Sequence, residues 1–499
     1  RATSREVLLY KECGVHMKWT DKTNMTMLTD FYELTMGKAY LDGGHEDTIA
    51  YFDLFFRSVP EQGGYAICAG LELAIDYLQN LRFSAEDIRY LRMLQTFDER
   101  FLEYLADFRF NCDVWAVPEG TVVFPGEPLI KVRGPIIQAQ MVETMLLATI
   151  NHQSLIATKA SRIVRAAGDR KVFEFGARRA QGYDAAVLGA RAAYIAGAAG
   201  TSCTIAGQQF GAPVFGTMAH SWIQLFDTEY EAFASYATSF PDDTVLLVDT
   251  YNVLESGVPN AIRVQNDILT PLGKRLKGIR IDSGDLAYLS QRSRLLLDKA
   301  GMNDCKITAS NALDEYLIRD LLLQGAQIDF FGVGERLITS RAEPVFGGVY
   351  KLSGIEKDGH ILPKMKISEN VGKVTNPCNK EILRFYNIET NKAMADVLIV
   401  SGESDPEGEP YEIFDPIQTW KRKTLEGYRV RRLLVPVFIN GKCVYDRPTL
   451  AQIRQYCKEE QETLWDSLKR FENPQSYYVD LSQKLWQIRN DFLHRHTRG

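Results

Sequence analysis

Seven short apolar runs, at 172–175, 202–205, 214–216, 245–248, 278–281, 306–309 and 328–331, punctuate the middle of the chain. Each is followed by polar or glycine-rich residues, and most then lead into a stretch with helical spacing. Strands that alternate with helices in this way lie parallel, because a right-handed crossover through a helix returns each strand beside an earlier one. The sequence therefore predicts an α/β protein, and seven units favour an irregular (β/α) barrel over an open sheet. A long helix, from about Ala139 to Ala167, opens the region.

The flanks have a different texture. Residues 48–56 alternate and are rich in β formers, residues 84–108 carry helical spacing with acids in the first turn, and residues 113–133 read as two β runs broken by Pro-Glu-Gly and Pro-Gly-Glu-Pro turns. After Gly347 the pattern returns to hairpins up to about Phe438, then ends in two amphipathic helices, about 450–471 and 479–492. The expected division is an N-terminal mixed α+β domain over 25–138, completed by part of the C-terminal region, a barrel with the active site over 139–346, and a C-terminal extension over 347–499. Residues 1–24 are read as an extension outside the fold.

A chain of 499 residues exceeds what one core usually supports. Hydrophobic residues at 45% and charged residues at 24% place it among globular proteins. A net charge of -6 offers no basic field for a nucleic-acid backbone, and no stretch has the apolar length of a membrane span. Nucleic-acid and membrane partners are therefore excluded from the reading. The eight cysteines follow no C-x-x-C or metal-ligand spacing, so free thiols in a reducing cytoplasm are the default.

If the strands run parallel, chemistry gathers at their carboxyl ends. His220, in Gly216-Thr-Met-Ala-His-Ser221, follows one such end. An isolated histidine there is usually a core or capping imidazole, but polar clusters after other strands shift the reading toward a site: Asp249-Thr-Tyr251, Arg280-Ile-Asp-Ser-Gly-Asp285 and Gly332-Val-Gly334. The turn from Arg280 to Asp285 supplies a guanidinium, two carboxylates and a sharp bend. Its acids suit sugar hydroxyls or a divalent cation, and its arginine a carboxylate or phosphate. The same residues also read as a capped helix start, with Asp282 or Ser283 as N-cap and Asp285 in the first turn. Gly332 and Gly334 expose backbone N–H groups, and Ser310-Asn311 ends the strand between, so a sugar phosphate could span these turns. Phe175, Arg178 and Arg179 follow the first strand; exposed arginines are commonly just solvated, but this position favours an anion. The sequence contains no nucleophile elbow, Walker loop or zinc motif.

Together, Leu28-Thr-Asp-Phe-Tyr-Glu-Leu-Thr-Met36, Phe175-Gly-Ala-Arg-Arg-Ala-Gln-Gly182, Gly216–Ser221, Val248–Tyr251, Ile279–Asp285 and Gly332–Gly334 resemble nicotinate phosphoribosyltransferase. The resemblance implies a type II phosphoribosyltransferase fold and a head-to-tail homodimer with shared active sites. It also implies transfer of the phosphoribosyl group from phosphoribosyl pyrophosphate to nicotinate, with Mg²⁺ and coupled hydrolysis of ATP, for NAD synthesis. Residue by residue, it makes His220 a transiently phosphorylated histidine, Asp249 the carboxylate that orients it and Asp282 a ligand of ribose hydroxyls. Arg280 takes the nicotinate carboxylate, Tyr32 and Phe175 flank the pyridine ring with Tyr32 acting across the dimer, and Thr217 adds a contact. Arg178, Ser310, Gly332 and Gly334 fall near the phosphoribosyl donor, and Lys366 is assigned to the pyrophosphate side; the metal ligands are left open. Glu335 departs from the threonine of many relatives, and is expected either to turn away or to meet Arg336 or the metal. The alternative is nicotinamide phosphoribosyltransferase, which has an aspartate near the place of Ser202; Ser202 offers no charge to repel a carboxylate. A barrel aldolase or isomerase is more distant, since no marked strand ends in a suitable lysine.

Overall fold

The computed structural model describes residues 24–369, 373–406, 408 and 410–497; the expected N-terminal extension thus lies almost wholly outside the described residues. Its central feature is a six-stranded parallel sheet, in spatial order Gly200–Thr201, Lys171–Glu174, Phe330–Val333, Lys306–Asn311, Gly278–Ile281, Val245–Leu247. The last strand in sequence pairs with the first, and the others follow in chain order on either side. Val214 joins Thr201 through one parallel bridge. Among the described residues no ladder links Val214 to Val245, and the connection across that seam, residues 215–244, carries His220.

Two expected strands differ. The run at 202–205 is displaced: only Gly200–Thr201 is extended, and Thr204–Phe210 is helical. The apolar positions Ala206 and Cys203 there form a small cluster with Ala190 rather than a strand face. The run at 214–216 shrinks to the single bridge at Val214, which is half exposed and so gains little from sheet burial.

The helix Glu143–Ala166 joins the two main cores. Its first half gives Met145, Leu146 and Ile150 to the N-terminal core, and its second half gives Ile156, Ala157, Ala160 and Ile163 to the core beneath the parallel sheet. It contains no glycine or proline across 24 residues, so nothing breaks its hydrogen-bond ladder. Each fully buried aliphatic side chain contributes about 1.5–3 kcal/mol, so one rigid rod ties the site-bearing sheet to its neighbour.

That neighbour is a seven-stranded sheet drawn from both ends of the chain: His360–Pro363, Gly348–Lys357, Ile49–Phe56, Ile130–Pro135, Asp113–Ala116, Val435–Ile439 and Lys442–Cys443. Strand Ile49–Phe56 sits between Ile130–Pro135 and Gly348–Lys357, antiparallel to both. A four-stranded sheet, Tyr428–Arg432, Lys380–Asn387, Ala393–Val400 and Val479–Leu481, completes the C-terminal part. The expected terminal helix over 479–492 therefore begins later: Val479–Leu481 pairs with Ala393–Val400, and the helix runs Gln483–Thr497. The helix expected over 450–471 ends at Glu462, followed by a short 3-10 turn, Asp466–Lys469. Seven cysteines are free thiols, and Cys13 lies outside the described residues. Among the described residues no helix is long and apolar enough to cross a membrane.

Candidate active site

Strand Gly278–Ile281 alternates, burying Ile279 and Ile281 and turning Arg280 to the other face near the strand's carboxyl end. From there the Arg280 guanidinium reaches across neighbouring strand ends. Its Nε donates to Ser310 Oγ at 2.8 Å, one terminal nitrogen to Thr217 Oγ1 at 3.2 Å and to the Met218 carbonyl at 3.5 Å, and the other to Asp282 Oδ1 at 3.0 Å. Its carbon lies 5.8 Å from the centroid of the Phe175 ring. Ser310 also donates to Asp282 Oδ1. The structure thus brings together Phe175, Thr217, Arg280, Asp282 and Ser310, contributed by four segments of the chain.

Gly332 makes the Phe175 position possible. A Cβ there would stand 2.5 Å from two carbons of the Phe175 ring, closer than any real contact. The ring therefore lies directly over the backbone of the adjacent strand, while the Phe175 N–H donates to the Val333 carbonyl at 2.7 Å. Gly334 sits close to the Phe175 carbonyl, where a Cβ would come within 3.2 Å. The glycines are consequently as much a seat for the aromatic ring as a turn with free N–H groups.

His220 opens the short helix His220–Gln224 and is 40% exposed, enough for a solute to reach its ring. Its hydrogen-bonding partner differs from the expected one. Nδ1 is 3.1 Å from Thr250 Oγ1, whereas Nε2 is 3.9 Å from Asp249 Oδ1 and 3.8 Å from Asp282 Oδ2, too far for direct hydrogen bonds. Asp249 is instead committed on its other oxygen, which accepts from the Asp282 N–H at 2.9 Å and the Ser283 hydroxyl at 2.6 Å. Its Oδ1 is buried and has no hydrogen-bond partner among the described residues. Asp249 thus braces the Asp282–Ser283 turn and presents an unpaired oxygen toward His220. Gly284, at φ +81°, completes this bend, and the helix Leu286–Lys299 is capped by Asp285, whose carboxylate accepts from the Tyr288 N–H at 3.1 Å. The expected cap at Asp282 or Ser283 is displaced, leaving both side chains facing the site.

Three participants have no role of their own in the sequence reading, although Thr250 and Asn311 stand within its polar clusters. Thr250 is the imidazole's partner. Glu174, fully buried beneath the rim, accepts from the Gly176 N–H and from Thr201 Oγ1 at 2.6 Å, so it ties two strand ends together; burial raises its pKa above the ordinary carboxylate range. Asn311, next to Ser310, holds φ +113°, a conformation that L-residues rarely adopt and that sharply turns the chain at the rim.

The remaining candidates lie less centrally. Ser202 is exposed after its two-residue strand, with its N–H donating to the Glu174 carbonyl at 2.9 Å, one strand away from Phe175. Arg178 and Arg179 are exposed in a 3-10 turn, with no carboxylate partner among the described residues. Lys366 is exposed, and its N–H donates to Thr375 Oγ1 at 3.3 Å. Tyr32, on helix Phe31–Asp42, hydrogen-bonds Glu143; burial and that carboxylate push its hydroxyl pKa up. No described contact joins Tyr32 to the Arg280 cluster within the chain. Glu335 pairs with Arg341 at 3.2 Å on the surface, while Arg336 turns to Asp314, so of the expected alternatives the pairing of Glu335 with Arg336 does not form.

The electrostatic character of the rim is a half-buried arginine held largely by neutral oxygens, beside two carboxylates, an accessible imidazole and an aromatic face. Such a set can hold an anionic ring substituent against Arg280 and Phe175, grip hydroxyls with Asp282, and offer an imidazole nitrogen as nucleophile.

Comparison with known proteins finds relatives over most of the chain. Residues 27–151 match the nicotinate phosphoribosyltransferase N-terminal domain, and residues 379–489 the C-terminal domain of the same family. The chain is 42% identical to nicotinate phosphoribosyltransferase of Bacillus subtilis, over 94% of this chain and 96% of that protein. It is 41% identical to nicotinate phosphoribosyltransferase pncB2 of Mycobacterium tuberculosis, over 92% of each. The crystal structure of human nicotinic acid phosphoribosyltransferase superposes with a TM-score of 0.83 at 29% identity, covering 93% of this chain and 99% of the human one. With this identity sustained over nearly the whole length of both proteins, the chain belongs to the nicotinate phosphoribosyltransferase family.

Proposed function

We propose that this chain joins nicotinate to the phosphoribosyl group of phosphoribosyl pyrophosphate, giving nicotinate mononucleotide and pyrophosphate for NAD synthesis. The observation that carries the reading is the setting of Arg280: a guanidinium over an aromatic face, anchored by Ser310 and Thr217, at the carboxyl end of a parallel strand. The nicotinate carboxylate pairs with Arg280 while its ring lies along Phe175. The ring nitrogen then attacks ribose C1 as the bond to pyrophosphate breaks. Positive charge develops on the ribose in that step, and Asp282 stabilises it while holding the hydroxyls.

The cyclic strand order supports reading the sheet as an irregular barrel with a seam at the His220 connection. The exposed Tyr32, with no partner in the rim of its own chain, supports a homodimer in which it closes the partner's site. The exposed Arg178, together with Gly334, suits the donor's phosphates. Among the described residues no three His, Cys, Asp or Glu side chains group as metal ligands. Mg²⁺ fits such a site, since it is commonly held by one or two carboxylates plus substrate phosphates, and the orphan Asp249 Oδ1 with Asp282 supplies these. When bound, it would neutralise charge on the leaving pyrophosphate.

ATP coupling is assigned to His220. With Nε2 facing two carboxylates, its N–H is best placed on that side, which leaves the Nδ1 lone pair to attack the γ-phosphorus. The N–P bond forms as the bond to the ADP oxygen breaks. A phosphoryl group on Nε2 would instead meet Asp249 and Asp282 at close range, which is repulsive.

Purified protein supplied with the donor, Mg²⁺ and ATP should convert nicotinate strongly in preference to nicotinamide, because an amide leaves Arg280 with a poorer partner. Equal or greater efficiency with nicotinamide overturns the assignment in favour of the amide-using alternative. In the same assay γ-labelled ATP should label the protein, and the label should vanish in His220→Ala but persist in Asp282→Ala.

A further inference from the structure

Buried or half-buried arginines in this chain are generally matched by carboxylates, as Arg162, Arg191 and Arg384 are. Arg165 and Arg454 are not: neither has a carboxylate within ion-pair distance among the described residues. One terminal nitrogen of Arg165 is buried without any hydrogen-bond partner, and the guanidinium lies 4.3 Å from the Phe471 ring centroid. Arg454 donates to the carbonyls of Tyr194, Gly197 and Ala198, at the end of helix Tyr183–Ile195, and lies 4.6 Å from the Tyr194 ring centroid. Burial depresses the pKa of both groups, the direction expected of cations taken from water without a counter-ion.

Both arginines line the same place. A cleft of about 450 Å³ contains Arg165, Arg319, Lys469 and Arg470, and a second of about 450 Å³, sharing Arg165 and Lys469, adds Arg454 and Lys458. Three carboxylates also line them. Asp466 pairs with Lys469, Glu472 with Arg319 and Glu462 with Lys458, at 3.3, 3.6 and 3.9 Å, and their side chains are 65% exposed or more. Six cations thus face three solvated acids in a protein whose net charge is -6. The wall includes Gly168 and Gly197, each three residues before a strand of the parallel sheet, at Lys171 and Gly200. This is the amino end of those strands, whereas Arg280 and Ser310 act near the carboxyl ends.

We propose that the paired clefts around Arg165 and Lys469 are a second anion site, separate from the catalytic rim, that takes a polyphosphate group. A polyphosphate rather than a single carboxylate is implied because the cations are spread over both clefts, and their combined volume is in the range of nucleotide-sized ligand sites.

Calorimetric titration of inorganic tripolyphosphate into the full chain tests this. Two classes of site are expected, one at each end of the sheet. Arg165→Gln should weaken one class by about tenfold or more, roughly the 1.4 kcal/mol of one strong charge-assisted contact. Nicotinate turnover without tripolyphosphate should stay close to that of the unmodified protein. Lys469→Gln, on a short surface turn, should produce the same selective loss and serves if Arg165→Gln does not fold. A single class in the unmodified protein, two classes that neither variant weakens, or joint loss of both classes would each overturn the proposal.

Discussion

Arg280 and Arg384 are both strand arginines facing an aspartate, yet the protein treats their charges in opposite ways. Arg384 lies in Lys380–Asn387 directly across from Asp396, grips it through Nε and one terminal nitrogen at 2.6–3.1 Å, and sends the other terminal nitrogen to Glu460 at 3.3 Å. Tyr477 donates to Asp396 as well, and Arg384 and Asp396 have no exposed side-chain surface. Arg280 shares its donors among two hydroxyls, one carbonyl and one carboxylate, and keeps 15% of its side chain exposed. Bidentate pairing with one carboxylate and contact with another consume the charge of Arg384 inside the core. Two hydroxyls and a carbonyl take most of the Arg280 donors, and the one carboxylate, Asp282, is itself partly exposed and offsets only part of the charge, so Arg280 retains a field for an incoming anion. The same amino acid is a brace in one place and a receptor in the other, and what distinguishes them is the charge of the partners.

Exchanging the readouts is the strongest test. Arg384→Ala leaves Asp396 buried without its cation, while Glu460 keeps Arg431, and should lower unfolding stability by about 3–5 kcal/mol in urea melts. Arg280→Ala should cost about 1 kcal/mol in the same melts, yet reduce nicotinate turnover by roughly 10²–10³-fold, the size of effect seen when one pre-aimed donor is removed from a catalytic site. If the two variants lose stability equally, Arg280 is also a core brace and the distinction fails.

A steric test sharpens the receptor side of the comparison. Gly332→Ala places a methyl carbon where the Phe175 ring lies, and the ring must move because the backbone beneath it belongs to the parallel sheet. Overpacking of this kind costs about 1–3 kcal/mol. The loss should appear mainly as a raised KM for nicotinate, since Phe175 and Arg280 would no longer share one face. Phe175→Leu in the same background, with a smaller side chain, should recover part of the stability loss but not the KM, because the aromatic face is gone; no recovery of stability would mean that Gly332 acts through its backbone and not through the ring.

How far the sequence revealed this site follows from its geometry. Short apolar runs ending in polar residues marked the carboxyl ends of parallel strands, so Phe175, Arg280, Asp282 and Ser310 could be placed on one rim before any coordinates. Thr250 was passed over because its neighbour Asp249 carries the charge; along extended chain, adjacent residues point to opposite sides, and which one meets His220 depends on the strand's exact end. Glu174 looked like an ordinary strand residue and Thr201 fell outside the expected strand at 202–205, since nothing local distinguishes a buried brace. The displaced strand at Gly200–Thr201 has the same origin: a two-residue strand is too short to show a period, and the apolar residues after it belong to a helix face. The seven-stranded sheet was only partly foreseen, because it pairs Ala50 with Ile355 and Trp115 with Pro436, partners some three hundred residues apart. Periodicity shows that a strand exists and not what it pairs with.

The smallest expected effect concerns Thr250, and it asks whether His220 too is held by a neutral partner. Thr250→Val preserves shape but removes the hydroxyl at 3.1 Å from Nδ1. That hydroxyl occupies the Nδ1 lone pair, so its bond, worth about 0.5–1.5 kcal/mol, must break before Nδ1 attacks; without it the initial rate of label transfer from γ-labelled ATP to His220 should rise roughly three- to tenfold, with nicotinate turnover in the absence of ATP little changed. Thr250→Ser, which restores the hydroxyl, should restore the rate. If Thr250→Val instead labels at an unchanged rate while Asp249→Asn abolishes labelling, the carboxylate alone orients the imidazole after rearrangement of the ring. His220 would then depend on a charged partner as Arg384 does, and neutral anchoring would be confined to Arg280.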